Sequence, residues 1–359
     1  MALHVRGVVL PDDEVRDLYL VGDRVTYQRI PGAETIADSG FILPGLVDAH
    51  CHIGIMHGSV PAPSLREVRK QALVEREVGV LALRDAGSPI PYPELDDDPD
   101  LPRLIRAGRH LAPPRRYLRD IALECEPEEL IEAAVAQAKA GNGWVKLVGD
   151  WIDREAGDLG PTYDEATITA VVAAVHEAGA RVAAHTFSET AVATLVRAGV
   201  DSIEHGTGLS PDLLDEMARQ GIALVPTMIN VETFESIARR ADPKFPRYAS
   251  HMRRLRAAFP QLVRSAYQAG VPIFVGTDAG GGIAHGQIAA EMRLLREEAG
   301  MAPLDVLAAA SWKAREWLGL PGLEEGGLAD LVVYSEDPRR EPQVVAEPQR
   351  IVLRGRVVR

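Results

Sequence analysis

The chain has 359 residues, is 46% hydrophobic and carries a formal net charge of −13 at pH 7. This length suits one large domain, or a large domain with a small companion, and the composition is that of a globular protein. The negative charge argues against nucleic acid or an anionic membrane as the main partner, so we expect a small-molecule substrate.

The amino-terminal segment MALHVRGVVLPDDEVRDLYL has no basic stretch followed by an apolar one, so the sequence predicts no signal peptide. The two cysteines, Cys51 and Cys125, do not make a disulfide framework. No apolar run approaches the roughly 18 residues that would cross a bilayer. We therefore expect a soluble cytoplasmic protein. The sequence leaves its oligomeric state open, and a homo-oligomer is compatible with it.

The two ends of the chain are rich in β-forming residues. Runs such as LHVRGVVL and VRDLYLVGDRVTYQ lie among Gly and Asp turns in residues 1–43, and ADLVVYSEDP and QRIVLRGRVVR repeat this style near the carboxyl end. These flanks predict one small β domain that is built from both termini.

The middle of the chain alternates short apolar strands with helical segments. Eight candidate strands occur: LPGLVDAH, VGVLALRDAG, PRLIRAGR, GWVKLVG, ARVAAHT, VDSIEHG, IALVPTM and VPIFVGTD. Helical segments between them, such as DEATITAVVAAVHEAG and SETAVATLVRAG, end in Gly, as a helix carboxyl end favours. Eight strand–helix units in about 270 residues predict a parallel (β/α)8 TIM barrel. An open doubly wound sheet is the alternative.

Polar side chains mark the carboxyl ends of these strands, where a barrel places its chemistry. In chain order they are His50, His52, Arg84, Asp85, Lys146, His185, His205, Thr227 and Asp278. Because His50 and His52 are two residues apart, they share one strand face, and paired imidazoles are a usual start of a transition-metal site. Read alone, this pair fits equally well with a strand that ends in a loop.

Lys146 interrupts the apolar strand WVKLV, where an unpaired ammonium is costly to bury. The chain has 34 Arg but only five Lys, so a lysine here indicates a task that guanidinium cannot perform. One such task is reaction with carbon dioxide to form a carbamate, an anion that can bridge two metals. The alternative is an ion pair with Asp150 or Asp85.

Asp278 follows an apolar strand in VPIFVGTDAGGG. A carboxylate there can bind a metal and accept a proton from metal-bound water. It could instead cap the following loop. Taken singly, His185 and His205 could be hydrogen-bonded strand-end histidines, but together with the H-x-H pair they favour a metal site.

The motifs of the chain as a set resemble the amidohydrolase superfamily, most closely its imidazolonepropionase-like and Xaa-Pro-dipeptidase-like members. They are PGLVDAHCH, VKL, AAHT, AGVDSIEHGT, GTDAG and LEEGGLADLVVY. The resemblance runs from about Val5 to the carboxyl end. It implies a (β/α)8 barrel of residues 44–322 beside a β-sandwich domain that residues 1–43 and 323–359 form together.

The resemblance also implies two divalent metal ions and a role for each candidate ligand. The H-x-H pair and Asp278 would bind the more buried metal, and the other two histidines the more exposed one. Lys146, carboxylated by CO2, would bridge both metals together with a hydroxide. The hydroxide would attack a substrate carbonyl, while Asp278 takes its proton and delivers it to the leaving amine. The implied ligands are His50, His52, Lys146, His185, His205 and Asp278. Zinc suits them best, although manganese, iron or cobalt could substitute.

The sequence thus predicts a binuclear amidohydrolase, with small N-acyl amino acids or dipeptides as substrates. A mononuclear deaminase or cyclic-amide hydrolase is the alternative. Deaminases of this superfamily have an H-x-x-E arrangement, whereas here Glu189 lies four residues after His185. Lactones and other esters suit the same attack, and an inactive scaffold would keep the barrel without its chemistry.

Loops beyond the strand ends carry candidate substrate contacts. His110, Arg115 and Tyr117 lie in RHLAPPRRYLRD, where a substrate carboxylate would suit an Arg or a Tyr. The same segment could be a solvated basic loop. His285, in AHGQ, lies just beyond the eighth strand and could touch substrate or cap a loop. Barrel loops set substrate choice, so the substrate itself does not follow from the sequence.

Overall fold

The structure, a computed structural model, describes residues 2–340 and 342–359. The strands are β1 Leu3–Val9, β2 Glu14–Val21, β3 Arg24–Thr26, β4 Glu34–Ala37, β5 Phe41–Pro44, β6 Leu46–Cys51, β7 Ile55–Met56, β8 Val60–Pro61, β9 Val80–Asp85, β10 Arg103–Arg106, β11 His110–Ala112, β12 Leu123–Glu124, β13 Trp144–Val148, β14 Asp150–Asp153, β15 Asp158–Pro161, β16 Arg181–Thr186, β17 Ser202–His205, β18 Ala223–Val225, β19 Leu331–Tyr334, β20 Arg350–Leu353 and β21 Arg356–Val357. The α-helices are α1 Leu65–Glu77, α2 Leu130–Ala140, α3 Glu165–Glu177, α4 Glu189–Ala198, α5 Pro211–Gln220, α6 Met228–Val231, α7 Phe234–Ala241, α8 Pro246–Gln268, α9 Ile288–Glu297, α10 Pro303–Ala310 and α11 Trp312–Trp317. Short 3₁₀-helices span Pro93–Leu95 and Pro342–Ala346.

Strands from both ends of the chain form one eight-stranded sheet, in the order β21-β20-β19-β5-β1-β2-β3, with β4 also paired to β1. Within it, β5 lies parallel to β1 and antiparallel to β19, so it joins the two ends. Buried residues recur at alternate positions of β1, which gives the sheet an apolar face. This face packs a core of its own, which includes Val5, Leu18, Ile42, Val333 and Val352.

This sheet agrees with the expectation that the two termini assemble together. The expected β-sandwich is not confirmed, because the described strands of both ends join in one hydrogen-bonded sheet and not in two. The domain limits, 1–43 with 323–359 and 44–322, stay a prediction.

The middle of the chain builds two parallel sheets. One has the order β10-β9-β6 and the other the order β12-β11-β13-β16-β17-β18. The segment 272–278 lies between them, because Phe274 N donates to Leu224 O of β18 and Ala49 N of β6 donates to Val275 O. The strands therefore follow one another as in a barrel-type fold, although they form two parallel sheets and not one continuous closed sheet.

Two of the eight expected strands are irregular. The third is split into β10, which pairs with β9, and β11, which pairs with β13. Gly108, with a φ of 69°, interrupts it, because this backbone conformation does not continue a strand. Among the described residues the eighth forms no regular ladder, and an isolated bridge joins its Ile273 to Leu224. Pro272 has no N–H for a regular ladder.

Polar side chains cap the starts of two helices, and glycines end two of them, the latter as the sequence predicts. Asp164 accepts a hydrogen bond from Thr167 N at the start of α3, and Ser188 caps α4. Gly199 and Gly221, both with positive φ, end α4 and α5.

Within residues 2–340 and 342–359, no helix has the length and apolarity to cross a membrane.

The alternation of side chains along the parallel strands sets the inner surface of the larger domain. Many inner positions hold small residues that pack around Trp144, among them Ala49, Ala82, Ala183 and Ala223. The same faces of β9, β13 and β17 carry Arg84, Lys146 and Glu204, all of them buried. Charged groups are thus held inside, directly below the strand ends.

Candidate metal centre

Four buried histidines form a continuous array at the carboxyl ends of three strands. His50 lies in β6 with His52 just after it, which we call the first pair. His185 of β16 and His205 of β17 make the second pair. Ring centroids along the series His52–His50–His205–His185 are 5.1, 5.1 and 4.8 Å apart. The structure therefore brings the four predicted histidines together.

The first pair converges with Asp278. Nε2 of His50 is 3.3 Å from Nε2 of His52. Oδ1 of Asp278 is 3.2 Å from the former atom and 3.0 Å from the latter. Among the described residues, this is the one group of three or more potential ligand side chains whose atoms all lie within 4.8 Å of one another.

The outer ring nitrogens of the first pair are already engaged. Nδ1 of His50 donates to Glu204 Oε2 at 2.6 Å, and Nδ1 of His52 donates to the Gly87 carbonyl oxygen at 2.8 Å. In the neutral rings that bind metals, both Nε2 atoms then present lone pairs to each other and to the Asp278 carboxylate. A cation satisfies such a set of lone pairs, so these residues fit a divalent metal ion.

The second pair places Nδ1 of His185 3.0 Å from Nε2 of His205. The other nitrogen of His205 is 2.7 Å from Thr227 Oγ1. Burial is the main cause that lowers the pKa of His205 to about 3 and that of His185 well below its ordinary value. Both imidazoles are therefore neutral at neutral pH, which is the form that binds metals.

Lys146 lies in β13, which pairs with both β11 and β16. It is 1% exposed, and its Nζ has no hydrogen-bond partner within the described part of the chain. Burial lowers the pKa of Lys146 to about 8, against the opposing effect of Glu204. The amine is thus held inside the site without a fixed contact.

The alternative ion-pair partners of Lys146 are engaged elsewhere. Asp150 accepts hydrogen bonds from the side chain and backbone at the end of β16. Asp85 accepts them from Gly87 N and from the Tyr92 hydroxyl. Neither carboxylate forms an ion pair with Lys146 in the described residues, so the structure gives that alternative no support.

Three polar residues at consecutive strand ends have left-handed backbones. The φ values are 65° at His205, 48° at Thr227 and 57° at Asp278. Non-glycine residues held in sparsely populated conformations cost about 1–3 kcal/mol each and concentrate at functional sites. At His205 this conformation turns the imidazole toward the same interior as Glu204, although neighbouring residues of a regular strand point to opposite faces.

The charge of Asp278 follows from its neighbours. Burial alone would raise the pKa of this carboxyl group, but the imidazoles of His50, His52 and His205 hold it well below its usual range. Asp278 is therefore a carboxylate at neutral pH, which both metal binding and proton acceptance require.

His110 and Tyr117 extend this cluster. His110 is fully buried, and neither ring nitrogen has a hydrogen-bond partner within the described residues. Its ring lies 5.1 Å from that of His52 and is stacked on Tyr117 at 5.0 Å. Tyr117 in turn lies 5.7 Å from His185. Both side chains therefore offer polar hydrogen atoms next to the histidine array.

Arg115 and His285 lie elsewhere. The side chain of Arg115 is exposed, and its backbone N donates to Glu124. His285 Nδ1 is 2.8 Å from Glu75 Oε1 on α1. No described hydrogen bond, ion pair or ring contact joins either residue to the cluster, so their role as substrate contacts stays a prediction.

Of the aromatic residues around the second pair, sequence reasoning singled out Tyr117 but not Trp151 or Phe187. The ring centroid of Trp151 lies 5.7 Å from that of His185 and 4.8 Å from that of Tyr117. The ring centroid of Phe187 lies 4.5 Å from that of His185. We call these three residues, Tyr117, Trp151 and Phe187, the aromatic wall. A signal was present, since Trp151 and Phe187 follow strand ends in GDW and HTF.

Comparison with known proteins agrees with this picture. The family model described as "Amidohydrolase family" matches residues 149–358. An uncharacterized protein of Mycobacterium tuberculosis is 51% identical over 356 residues, which cover 99% of this chain and 95% of that protein. The ochratoxinase of Aspergillus niger is 26% identical over 231 residues, which are 62% of this chain and 47% of that enzyme. The crystal structure of a Xaa-Pro dipeptidase with methionine in its active site matches with a TM-score of 0.84 and 23% identity over 99% of both chains, which indicates a TIM-barrel type of fold.

Proposed function

Because the chain belongs to the amidohydrolase family, we propose that it is a binuclear metal-dependent hydrolase which cleaves the amide bond of small N-acyl amino acids or dipeptides. Family membership supports a hydrolase of carbon–nitrogen bonds that uses divalent metals. One arrangement carries the finer proposal. Two pairs of histidine nitrogens converge in the same interior as the buried Lys146, whose amine has no partner within the described residues.

The residues of the site divide between two metal positions. The first pair and Asp278 would hold one divalent ion, and Nδ1 of His185 with Nε2 of His205 would hold the other. A carbamate on Lys146 would bridge both positions. Bound metals would lower the pKa of water and polarise the substrate carbonyl. Imidazole, carboxylate and carbamate ligands suit zinc.

Asp278 is the proton carrier in this proposal. Its side chain is 19% exposed, whereas those of His50 and His52 are 1% and 7% exposed, so water can reach the carboxylate. As a carboxylate it accepts a proton from the attacking water and then delivers it to the leaving amine. Each amide bond that is cleaved thus consumes one water and returns Asp278 to its starting state.

The surroundings of the second pair support an amide with a bulky apolar group. The aromatic wall offers apolar surface beside His185, and His110 offers an N–H to a substrate oxygen. The names of two similar proteins, a Xaa-Pro dipeptidase and an ochratoxinase, accord with a small substrate that contains an amino acid.

The mononuclear deaminase is the second candidate, and one observation disfavours it. The carboxylate of Glu189 is bound by His251 at 2.9 Å and by Arg254 at 2.6 Å. Glu189 therefore binds side chains of α8 and not the metal positions. Hydrolysis of esters and lactones would use the same groups as hydrolysis of amides. Substrate trials distinguish these activities.

Metal content per chain is the first test. The protein is purified without chelators, supplied with bicarbonate and measured by elemental mass spectrometry. We expect close to two metal ions per chain. A value close to one would contradict the binuclear mechanism and direct the assays to ammonia release from ring amines, and a metal-free protein that stays metal-free on addition of zinc would favour the inactive scaffold.

Substrate trials follow on the metal-loaded protein. The panel contains dipeptides, N-acyl amino acids and lactones, with release of the amine or acid measured directly. We expect hydrolysis of the amides. Turnover of lactones alone would overturn the proposed substrate class while leaving the metal centre intact.

A further inference from the structure

A buried ion pair lies directly below the first pair of histidines. Arg84 of β9 and Glu204 of β17 are both 0% exposed. Nη2 of Arg84 donates to Oε1 of Glu204 at 2.7 Å and to Oε2 at 2.8 Å. Even a buried ion pair that is well hydrogen-bonded is often no more stabilising than apolar residues of similar volume, so stability alone does not account for this pair.

Among the described residues, one hydrogen bond joins the ion pair to the metal centre. Oε2 of Glu204 accepts the Nδ1 hydrogen of His50 at 2.6 Å, and Oε1 accepts the hydroxyl hydrogen of Ser202 at 2.5 Å. Every oxygen of the carboxylate is therefore satisfied, and one of them fixes which nitrogen of His50 carries the proton.

Arg84 is itself held in place by groups outside the metal centre. Its Nε donates to the Ala49 carbonyl oxygen at 2.6 Å. The guanidinium carbon lies 4.6 Å from the centroid of the Trp144 ring and 5.0 Å from that of Trp317. These contacts position the cation beside Glu204, where its charge favours the carboxylate form.

The outer nitrogens of the other three histidines form no hydrogen bond with a carboxylate in the described residues. His52 donates to a backbone carbonyl oxygen, and His205 contacts the hydroxyl of Thr227. The nearest carboxylate oxygen to His185 Nε2, on Asp150, is 3.9 Å away. Within the described residues, His50 alone of the four pairs its outer nitrogen with a carboxylate by a hydrogen bond. A carboxylate there makes the opposite ring nitrogen a stronger ligand than a neutral acceptor does.

We infer that Glu204, backed by Arg84, is a positioning residue which holds Nε2 of His50 toward the first metal position and makes that position the tighter of the two. The inference rests on the proposed function in that it requires metal binding. The inference adds the order in which the two metal positions are filled. The position of His50, His52 and Asp278 binds metal first, and its affinity depends on Glu204, which does not touch the metal.

The test is a zinc titration of metal-free protein against a competing chelator. Glu204→Gln keeps the volume of the side chain and removes its charge. We expect its tighter zinc affinity to fall by about 10- to 100-fold, with the weaker affinity unchanged. The matched control is Asp330→Asn, because Asp330 is also a fully buried carboxylate paired with two arginines, Arg103 and Arg315, but lies outside the metal centre. We expect this control to keep both affinities.

A second measurement covers the case in which Glu204→Gln does not fold. Long-range ¹⁵N NMR of the metal-free wild-type protein reports which nitrogen of His50 carries its proton, and we expect Nδ1. A proton on Nε2, unchanged zinc affinities in Glu204→Gln, or an equal loss at both positions would each overturn the inference. A wild-type protein that binds no zinc would instead refute the proposed function.

Discussion

Lys146 is the residue whose chemistry is most sharply defined by its surroundings. A primary amine that is buried in an apolar strand without a partner in the described residues lowers the stability of the fold. Such a residue is therefore expected to take part in a reaction. The two carboxylates that could have neutralised it bind other groups. We propose that this reaction is carbamate formation, which a guanidinium could not undergo.

Replacement of Lys146 tests this role. We expect Lys146→Ala and Lys146→Arg to lower kcat/KM by at least about 100-fold, since both remove the bridging ligand. Metal analysis should find fewer than two ions per chain. Lys139→Ala, at an exposed lysine of α2, is the control and should behave as wild type. Full activity in Lys146→Arg would rule out a carbamate.

At the residue scale, the sequence predicted the histidine array because the spacing and positions of the histidines carry that information locally. It did not predict that Glu204 supports His50. The two residues lie on different strands, and only the packing of β6 near β17 makes them neighbours. Strict alternation would also have turned either Glu204 or His205 away from the interior, and the left-handed backbone at His205 removes that conflict.

Among the elements, we propose that the hairpin β14–β15 contributes to substrate selection. Its first strand carries Trp151 of the aromatic wall, and Arg116 holds it by donating to the carbonyl oxygens of Gly160 at 3.0 Å and Pro161 at 3.1 Å. Trp151 is half-buried, so part of its ring stays open to a ligand. The hairpin thus presents apolar surface on a fixed support.

Trp151→Ala should therefore change selectivity more than chemistry. We expect kcat/KM for amides with large apolar groups to fall by up to about tenfold, mainly through KM, while alanine- or glycine-containing substrates change little. Steady-state kinetics on paired substrates measure this. Glu155→Ala, at the exposed tip of the same hairpin, is the control. An equal loss on small and large substrates would contradict a role in selection.

The contact between α6 and α9 should make stability depend on pH. Glu291 of α9 is fully buried and accepts hydrogen bonds from Met228 N and Ile229 N, both at 2.8 Å. Burial raises its pKa from 4.5 to about 8 despite these two donors. Because the folded state then binds the proton more tightly than the unfolded state, the contribution of Glu291 to stability falls as the pH rises from about 4.5 to about 8.

Glu291→Gln mimics the protonated carboxyl group and should remove this decline. Relative to wild type, we expect the free energy of unfolding of the variant to rise between pH 5 and pH 9 by an amount on the order of 1–3 kcal/mol. Urea denaturation across this range measures it. A constant difference between variant and wild type would show that Glu291 does not titrate on folding.

At the element scale, sequence periodicity predicted the regular strands and the helices, and it failed where single residues break the pattern. Gly108 splits the third strand, and Pro272 with Asp278 leaves the eighth one irregular. These features depend on backbone conformations that follow from the surrounding contacts, and not from the local spacing of apolar residues.

For the molecule as a whole, Asp330 connects the terminal sheet to the larger domain. It precedes β19 and accepts hydrogen bonds from Arg103 of β10 at 2.5 Å and from Arg315 of α11 at 3.2 Å. Its Oδ1 also accepts the backbone N–H of Arg354 at 2.8 Å. Three separate parts of the chain thus meet at one buried carboxylate.

We expect Asp330→Asn to destabilise the protein by about 3–5 kcal/mol, because it leaves two arginines without their buried partner. Burial tends to raise the pKa of Asp330, but Arg103 and Arg315 hold it below its ordinary 3.8. The stabilisation is therefore present above pH 3.8 and is lost as the pH falls below it, so wild type and variant should converge in acid. Chemical denaturation at neutral and acid pH measures this, and Glu336→Gln, an exposed carboxylate, is the control. A difference that persists undiminished in acid would contradict the ion-pair account.

The overall architecture was predictable in outline, since both β-rich ends and the strand–helix alternation are visible in the sequence. Whether the terminal strands form one sheet or two was not predictable from the sequence. Whether eight short strands make one sheet or two depends on pairings between residues more than 280 positions apart, such as Leu43 with Val332, and no local pattern encodes them.

That distant pairing also orders events during synthesis. β5 is translated well before its partner β19, which begins 290 residues later in the chain. At about 5–20 residues per second, the interval lasts on the order of tens of seconds. Throughout it, one side of β5 offers unpaired backbone groups to strands of other nascent chains. The strand that closes this edge against association between unfinished molecules is thus translated long after β5 itself.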